Sequence, residues 1–335
     1  MTDEPSSTSA EDRLIARYFR PLAKHPGALG LIDDVALLTP RAGHDIVLTT
    51  DAIVGGVHFF PDDPPDMVAK KALRVNLSDL AAKGAMPTGF LLTLGLPSPV
   101  GDGWIERFAQ GLGTDAEAYS CPLLGGDSVG TPGPATISIT AIGTLPEGSM
   151  VPRSGAQAGD RIVVTGTIGD AALGLLLRKE GANTGRWRLE AQQQSLLIDR
   201  YLLPQPRNTL AEALRLHASA AMDVSDGLIG DLSKLCAASG VSAEVAVGSV
   251  PLSNGARSAL AADPAQLETV LTGGDDYEIV CTVAAGKLDS FRAAGAAAGV
   301  PVTEIGQITA GKGSSRFIGG DGKPMLFKQT SFSHF

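Results

Sequence analysis

The 335-residue chain is poor in charge: charged residues make up 19%, and 27 Lys and Arg stand against 36 Asp and Glu, a formal net charge of −9. No Lys/Arg cluster is left over to neutralise phosphates, which excludes nucleic acid and anionic membrane as principal partners. Cysteine is scarce too. Cys121, Cys236 and Cys281 form no C-x-x-C pair and each lies in or beside an apolar stretch, so they read as core residues in a reducing compartment, and a cytoplasmic location is expected. No apolar run approaches the roughly 18 residues of a membrane span, and the opening Met1-Thr-Asp-Glu is acidic, so neither a span nor a signal peptide is expected. Also missing are a G-x-x-x-x-G-K-[ST] phosphate loop, a protein-kinase motif set and a His/Cys cluster of zinc type.

Hydrophobic residues, at 44%, suffice for a core in each of two domains. With so few charges, the position of each acid carries weight. Leu123-Leu124-Gly125-Gly126-Asp127 ends an apolar run in two glycines and a carboxylate, and Leu271-Thr272-Gly273-Gly274-Asp275-Asp276 echoes it. Further acids stand at the ends of apolar runs or beside Gly, Ser or Thr in Asp33-Asp34, Thr49-Thr50-Asp51, Asn76-Leu77-Ser78-Asp79 and Asp223-Val224-Ser225-Asp226-Gly227.

In chain order, Thr8-x-x-Glu11 predicts a capping box opening a short helix, and Val35–Leu38 and Ile46–Thr50 predict two short strands. A helix is predicted over 66–84 with a polar arc of Lys70, Lys71, Arg74 and Ser78, which turns Asp79 inward and leaves it needing either a metal or a salt-bridge partner. Strands follow at 90–96 and from Thr136, with a helix over 103–118 between them. The Pro/Gly-rich stretch 146–160 divides the chain into domains 1–148 and 149–335. In the second, strand 161–165, Gly166-x-x-Gly169 and helix 171–179 read as a tight turn rather than a dinucleotide site. Helices are predicted over 181–200, 204–218, 226–239 and 287–299, and a strand over 277–283.

Gathered in one cleft, these carboxylates would repel one another unless cations sat between them, and hard oxygen donors select Mg²⁺, Mn²⁺ or Ca²⁺. Nucleoside triphosphate chemistry follows as a hypothesis, with phosphates held by metals, glycine backbone and an arginine such as Arg153. Blander readings stand beside it: Ser225 or Asp226 as a helix cap, Asp33-Asp34 as a turn, His58 as a structural residue among Gly55, Gly56, Phe59 and Phe60.

Taken together, Leu14-Ile-Ala-Arg-Tyr-Phe19, Asp33-Asp34-Val-Ala-Leu-Leu, Thr50-Asp51-Ala-Ile-Val-Gly-Gly-Val-His58-Phe, Asn76-Leu-Ser-Asp79, Gly125-Gly-Asp127, Arg153-Ser-Gly-Ala, Asp223-Val-Ser-Asp226-Gly, Gly273-Gly-Asp275-Asp276-Tyr-Glu278 and Ser333-His-Phe335 resemble the thiamine-monophosphate kinase family of the aminoimidazole-ribonucleotide-synthetase-like superfamily. The resemblance implies an α/β (α+β) two-domain fold, with an N-terminal sheet forming a barrel across a homodimer and a C-terminal mixed α/β domain. It implies a phosphotransferase with a phosphate group as acceptor, which makes thiamine diphosphate from ATP and thiamine monophosphate with several Mg²⁺ ions and without a general base. By the same resemblance Asp34, Thr49, Thr50, Asp51, Asp79, Asp127, Asp223 and Asp226 would hold metal. Gly126, Arg153 and Ser225 would contact ATP, and His58, Asp275, Phe327 and Phe332 the thiamine substrate. The family often has Glu where Asp275 stands and Trp where only Phe327 and Phe332 are offered. Another ATP-dependent enzyme of the superfamily, of aminoimidazole-ribonucleotide-synthetase type, and a non-catalytic metal- or nucleotide-binding protein are the alternatives.

Overall fold

A computed structural model describes residues 9–180, 185–312 and 315–331. Two compact units are present: the described residues up to Asn76 with Pro87–Thr144 form the first, and Leu77–Met86 with the described residues from Leu145 onward form the second.

In the first unit α1 (Ala10–Leu14) is opened by a capping box, but its members are Ser9 and Asp12, which exchange side-chain and backbone bonds at 2.9 and 3.1 Å. The expected Thr8 cap falls outside the described residues. The strand expected at Val35–Leu38 is irregular chain instead, because Leu37 N–H turns back to the Gly27 carbonyl at 2.8 Å rather than pairing with a neighbouring strand. β1 (His44–Val54), β2 (Met86–Pro97), β3 (Leu123–Thr131) and β4 (Thr136–Pro146) form a sheet in the order β1-β4-β2-β3. Along β4 every second residue is buried, the pattern of a strand with one covered face, as its alternating sequence requires. β2 and β3 run parallel and are joined by α3 (Asp102–Ala118).

α2 (Pro65–Ala82) is the helix expected over 66–84, closed by Gly84 in the left-handed conformation (φ +74°). Its faces differ from the helical-wheel reading. Lys71 and Ser78, expected in the polar arc, are buried, while Asp79 is only half-buried. A helix covered on more than one side has no single polar arc, so each polar residue needs its own partner. Lys71 donates to the His58 carbonyl at 3.0 Å, and Arg74 grips Asp115 of α3 through Nε (2.5 Å) and Nη2 (3.0 Å). Gly111 of α3 lies against the backbone of Asp66.

The second unit is a six-stranded sheet in the order β10-β7-β9-β5-β8-β6. Its strands are β5 (Arg161–Thr165), β6 (Ala218–Val224), β7 (Ser242–Ala246), β8 (Glu278–Val283), β9 (Val302–Thr309) and β10 (Arg316–Ile318). Only the β10–β7 pair is parallel; β5 pairs with β8 and β9, β6 with β8, and β7 with β9, all antiparallel. Alternate residues feed two cores. Ile162, Val164, Met222 and Val280 belong to one, covered by α7 (Leu228–Ser239) through Leu228, Leu232 and Leu235. Val163, Ala221, Ile279 and Cys281 belong to the other, with Leu214 of α6 (Ala211–His217) and Phe291 of α10 (Leu288–Ala297). Because helices cover both faces, β8 is buried along its whole length, Glu278 and Thr282 included. The remaining helices are α4 (Asp170–Glu180), α5 (Ala191–Leu202), α8 (Asn254–Ala262) and α9 (Gln266–Thr272). Of the helix expected over 181–200, 181–184 lie outside the described residues and α5 accounts for the part from Ala191, while that over 204–218 is a 3₁₀ turn (Asn208–Leu210) leading into α6.

The contact of α3 with α2 is directly testable. A Cβ at Gly111 would stand 2.3 Å from the Asp66 carbonyl oxygen, whereas one at Gly103 of the same helix meets nothing within 4 Å. Gly111→Ala is expected to destabilise by about 1–3 kcal/mol through overpacking. Gly103→Ala should be neutral or stabilising by up to about 1 kcal/mol. Urea-denaturation midpoints of the two variants check this.

Candidate active site

In the first unit the bulge at Leu124 lets β3 slide past β2 so that Gly125, Gly126 and Asp127 lie opposite Leu91, Leu92 and Thr93. A Cβ on Gly126 would be 1.9 Å from the Leu92 carbonyl oxygen, so only glycine fits there. Gly125-Gly126-Asp127 is therefore strand, ending in an exposed carboxylate whose Oδ1 accepts the Ser128 N–H at 2.9 Å. Asp33, Asp34, Gly126 and Asp127 line one cavity of about 630 Å³, whose other walls include Phe19, Leu92, Leu124 and Ile142. A pocket with carboxylates and bare backbone at one side and apolar walls at the other suits a ligand with a polyphosphate and a flat apolar part.

β1 places Thr49, Thr50 and Asp51 in succession. The Thr50 hydroxyl donates to the Ile139 carbonyl at 3.1 Å, and the Asp51 N–H to Oδ1 of buried Asn76 at 2.9 Å, leaving an exposed Asp51 carboxylate on a fixed backbone. His58 closes the turn after β1: its Nδ1 accepts the Val54 N–H at 3.0 Å, which puts the proton of the neutral ring on Nε2. The buried Lys71 ammonium anchors the same turn.

In the second unit Asp223 ends β6, with Oδ2 accepting the Ser78 hydroxyl at 2.9 Å. Asp79 follows Ser78 on the helix, and both Asp79 and Asp223 attract the ammonium of Lys83. Burial pulls that ammonium below its ordinary pKa, opposed by Asp223, and it donates to the Ala221 carbonyl at 2.7 Å. Neither Ser225 nor Asp226 caps α7; the N-cap is Gly227 at φ +110°, with no side-chain bond. Asp226 instead pairs with Lys234 at 2.5 Å, and its N–H donates to Asp231 at 2.9 Å.

The second Gly-Gly-Asp differs from the first. Asp275 and Tyr277 both hold positive φ (+72° and +50°), and their N–H groups bond the Ser225 and Val224 carbonyls at 2.9 and 2.8 Å. The stretch carrying Ser225 and Asp226 and that carrying Asp275 are thus stitched together. Between Asp275 and Tyr277, Asp276 turns inward and accepts the Gly169 N–H at 2.7 Å and the Ala171 N–H at 3.4 Å. The Gly166-x-x-Gly169 turn is therefore filled by the chain's own carboxylate. Behind it, buried Glu278 receives Arg200 (2.7 Å), Arg207 Nε (2.7 Å) and the Thr165 hydroxyl (2.7 Å). This network and the bond of Lys83 to the Ala221 carbonyl escaped the sequence reading because their partners are distant in sequence, and Lys234 escaped it although Asp226 and Asp231 lie close by in the chain.

Arg153 is exposed in irregular chain. Phe327 packs edge-on against Phe317, ring centroids 5.9 Å apart, on the edge of a hydrophobic core, and Phe332 lies outside the described residues. Among the described residues no three His, Cys, Asp or Glu side chains converge closely enough to hold a metal ion, and no helix is long and apolar enough to cross a membrane. Donors that come singly or in pairs, all oxygen, fit Mg²⁺, which keeps several waters and takes one or two carboxylates together with substrate phosphates.

Residues 32–145 match the family described as AIR synthase related protein, N-terminal domain, and residues 157–319 its C-terminal counterpart. Both halves therefore carry AIR synthase-related domains. The chain is 46% identical to the thiamine-monophosphate kinase of Caulobacter vibrioides, covering 91% of this chain and 86% of that protein. The crystal structure of thiamine-monophosphate kinase from Stenotrophomonas maltophilia superposes with a TM-score of 0.81 at 38% identity, covering 94% of this chain and 96% of that one. AaThiL complexed with AMPPCP and TMP gives 0.75 at 31% identity, covering 89% of each chain. The chain belongs to the thiamine-monophosphate kinase family.

Burial pushes the Asp276 carboxyl well above its ordinary pKa, with the Gly169 N–H working the other way. A folded-state pKa raised above the unfolded one means that the stabilising contribution is complete at low pH and is lost as pH rises through the raised value. Asp276→Asn should therefore gain stability relative to the parent chain as pH goes from about 4 to about 7. Urea unfolding at both pH values reads the difference, and a gap that narrows or stays constant contradicts the assignment.

Proposed function

We propose that this chain transfers the γ-phosphoryl group of ATP to thiamine monophosphate, giving thiamine diphosphate and ADP. The observation that carries the reading is the 46% identity to a thiamine-monophosphate kinase across nearly the whole chain, supported by the fit to a relative complexed with AMPPCP and TMP. An oxygen of the acceptor phosphate attacks the γ-phosphorus; the new P–O bond forms as the β–γ bridging bond breaks and its electron pair leaves with ADP. With a second pKa of about 6, the acceptor is already ionised at neutral pH, so no side chain is assigned as general base.

Asp34, Thr49, Thr50, Asp51, Asp79, Asp127, Asp223 and Asp226 are the proposed ligands of Mg²⁺. Bound there, Mg²⁺ would neutralise phosphate charge and hold attacking and leaving oxygens in line. For ATP, Gly126 offers backbone where no side chain fits, Arg153 an exposed guanidinium and Ser225 a hydroxyl. For thiamine monophosphate, His58 offers an Nε2–H whose tautomer the Val54 N–H fixes, and Asp275 a carboxylate on a stitched loop. Phe327 and Phe332 are proposed for the thiamine rings. A homodimer built on the N-terminal sheet belongs to the same reading and is supported by exposed Ile46 and Leu48 on its edge strand β1. A cytoplasmic location is supported by three cysteines that are all free and buried.

The test is ATP-dependent formation of thiamine diphosphate from thiamine monophosphate with Mg²⁺; absence of turnover rejects the kinase reading. Asp79→Asn and Asp127→Asn should each lose about 100-fold or more in kcat, with unfolding midpoints kept, as expected when charge stabilisation of a phosphoryl transfer is removed. Full activity in both would remove the metal assignment. His58→Ala should raise KM for thiamine monophosphate and leave that for ATP nearly unchanged, and the reverse pattern would reassign the residue.

A further inference from the structure

Asp226 has a cation beside it already. Gly227 turns the chain sharply after it, and α7 then sets Asp231 and Lys234 one helical turn apart. The Lys234 ammonium lies 2.5 Å from Asp226 Oδ2 and 2.8 Å from Oδ1 of fully buried Asp231, whose Oδ2 accepts the Asp226 N–H at 2.9 Å. Backbone and side chain of Asp226 are thus both tied to the same pair.

We infer that Lys234 is a positioning residue, an internal counter-ion that holds Asp226 in the metal's stead while the enzyme is unloaded, so that this carboxylate takes a divalent cation with the nucleotide rather than before it. The inference rests on the proposed reading of Asp226 as a metal ligand. A divalent ion held by Asp226 would share the carboxylate with the ammonium, which already engages its Oδ2. An ammonium displaced from Asp226 would still be held by Asp231, whose buried carboxylate has no other cation in reach of a hydrogen bond among the described residues. Its charge stays close enough to oppose the metal until a polyphosphate brings compensating negative charge. A merely decorative surface pair would hold the same two atoms together and have no bearing on metal affinity.

The experiment titrates the full-length protein with Mn²⁺, following the free ion by electron paramagnetic resonance, with and without a non-hydrolysable ATP analogue. Without nucleotide, K234Q should bind Mn²⁺ about fivefold tighter, the effect of removing a part-exposed charge pair. K234R should behave as the parent chain, and D226N/K234Q should lose the gain. With nucleotide the difference should shrink. K234M is measured in parallel, and either neutral variant that keeps the parent's circular dichroism suffices. Unchanged Mn²⁺ affinity in the neutral variants, with D226N weakened, overturns the counter-ion role alone. D226N binding Mn²⁺ as tightly as the parent chain in the presence of the analogue overturns the reading of Asp226 as a ligand, and this inference with it.

Discussion

Mutual repulsion of carboxylates is the constraint on which the second unit depends. Acids outnumber bases 36 to 27, and several stand within a few residues of one another along β6, α7 and the approach to β8. Each is answered differently. Asp223 takes a hydroxyl from Ser78, Asp226 an ammonium from Lys234, Asp276 two backbone amides, and Glu278 two guanidinium groups and a hydroxyl. Removing one partner of the buried Glu278–Arg200 pair costs about 3–5 kcal/mol, because the charge left behind is buried and uncompensated. Asp231, Asp276 and Glu278, the acids of this group with no exposed surface, are therefore structural.

That division separates Asp275 from Asp276, neighbours of the same chemistry. The loop alternates, with the N–H groups of Asp275 and Tyr277 bonded to the end of β6 and the Asp276 side chain buried under the start of α4. Two non-glycine residues at positive φ cost of order 1–3 kcal/mol each, a strain that persists only where the surroundings over-determine the backbone. Here the surroundings are the Asp276 amide bonds and the Arg200 bond to the Asp276 carbonyl at 3.0 Å.

Much of the frame was legible before any coordinates. The period of Thr136 to Ala141, the length of α2 and α3 and the cap at Gly84 depend on local pattern, and they appear where the sequence puts them. The two Gly-Gly-Asp stretches look alike in sequence and differ in structure, because pairing with β2 is decided by a partner strand about 30 residues earlier in the chain. The same limit explains the second buried side of α2. Helical periodicity reports one buried side, and once Lys71, Arg74 and Ser78 find the His58 carbonyl, Asp115 and Asp223, a second side closes over. The candidate ligands were legible as acids beside glycine; the lysines and arginines that hold them were not, since a lone basic residue in a sequence carries no mark of its partner.

Reading Gly166-x-x-Gly169 as a turn rather than a phosphate site also finds its physical reason here. A helix start offers unpaired amides to any anion, and whichever is covalently attached and preorganised wins over one from solution. The Asp276 carboxyl takes those amides, and a Cβ at Gly166, already at φ +56°, would collide with the Glu278 carboxylate. The glycines serve the internal salt network, and α4 is thereby tied to the Asp275 loop rather than to a nucleotide. An anion-binding element used up internally becomes a brace, its amides already engaged before any phosphate arrives.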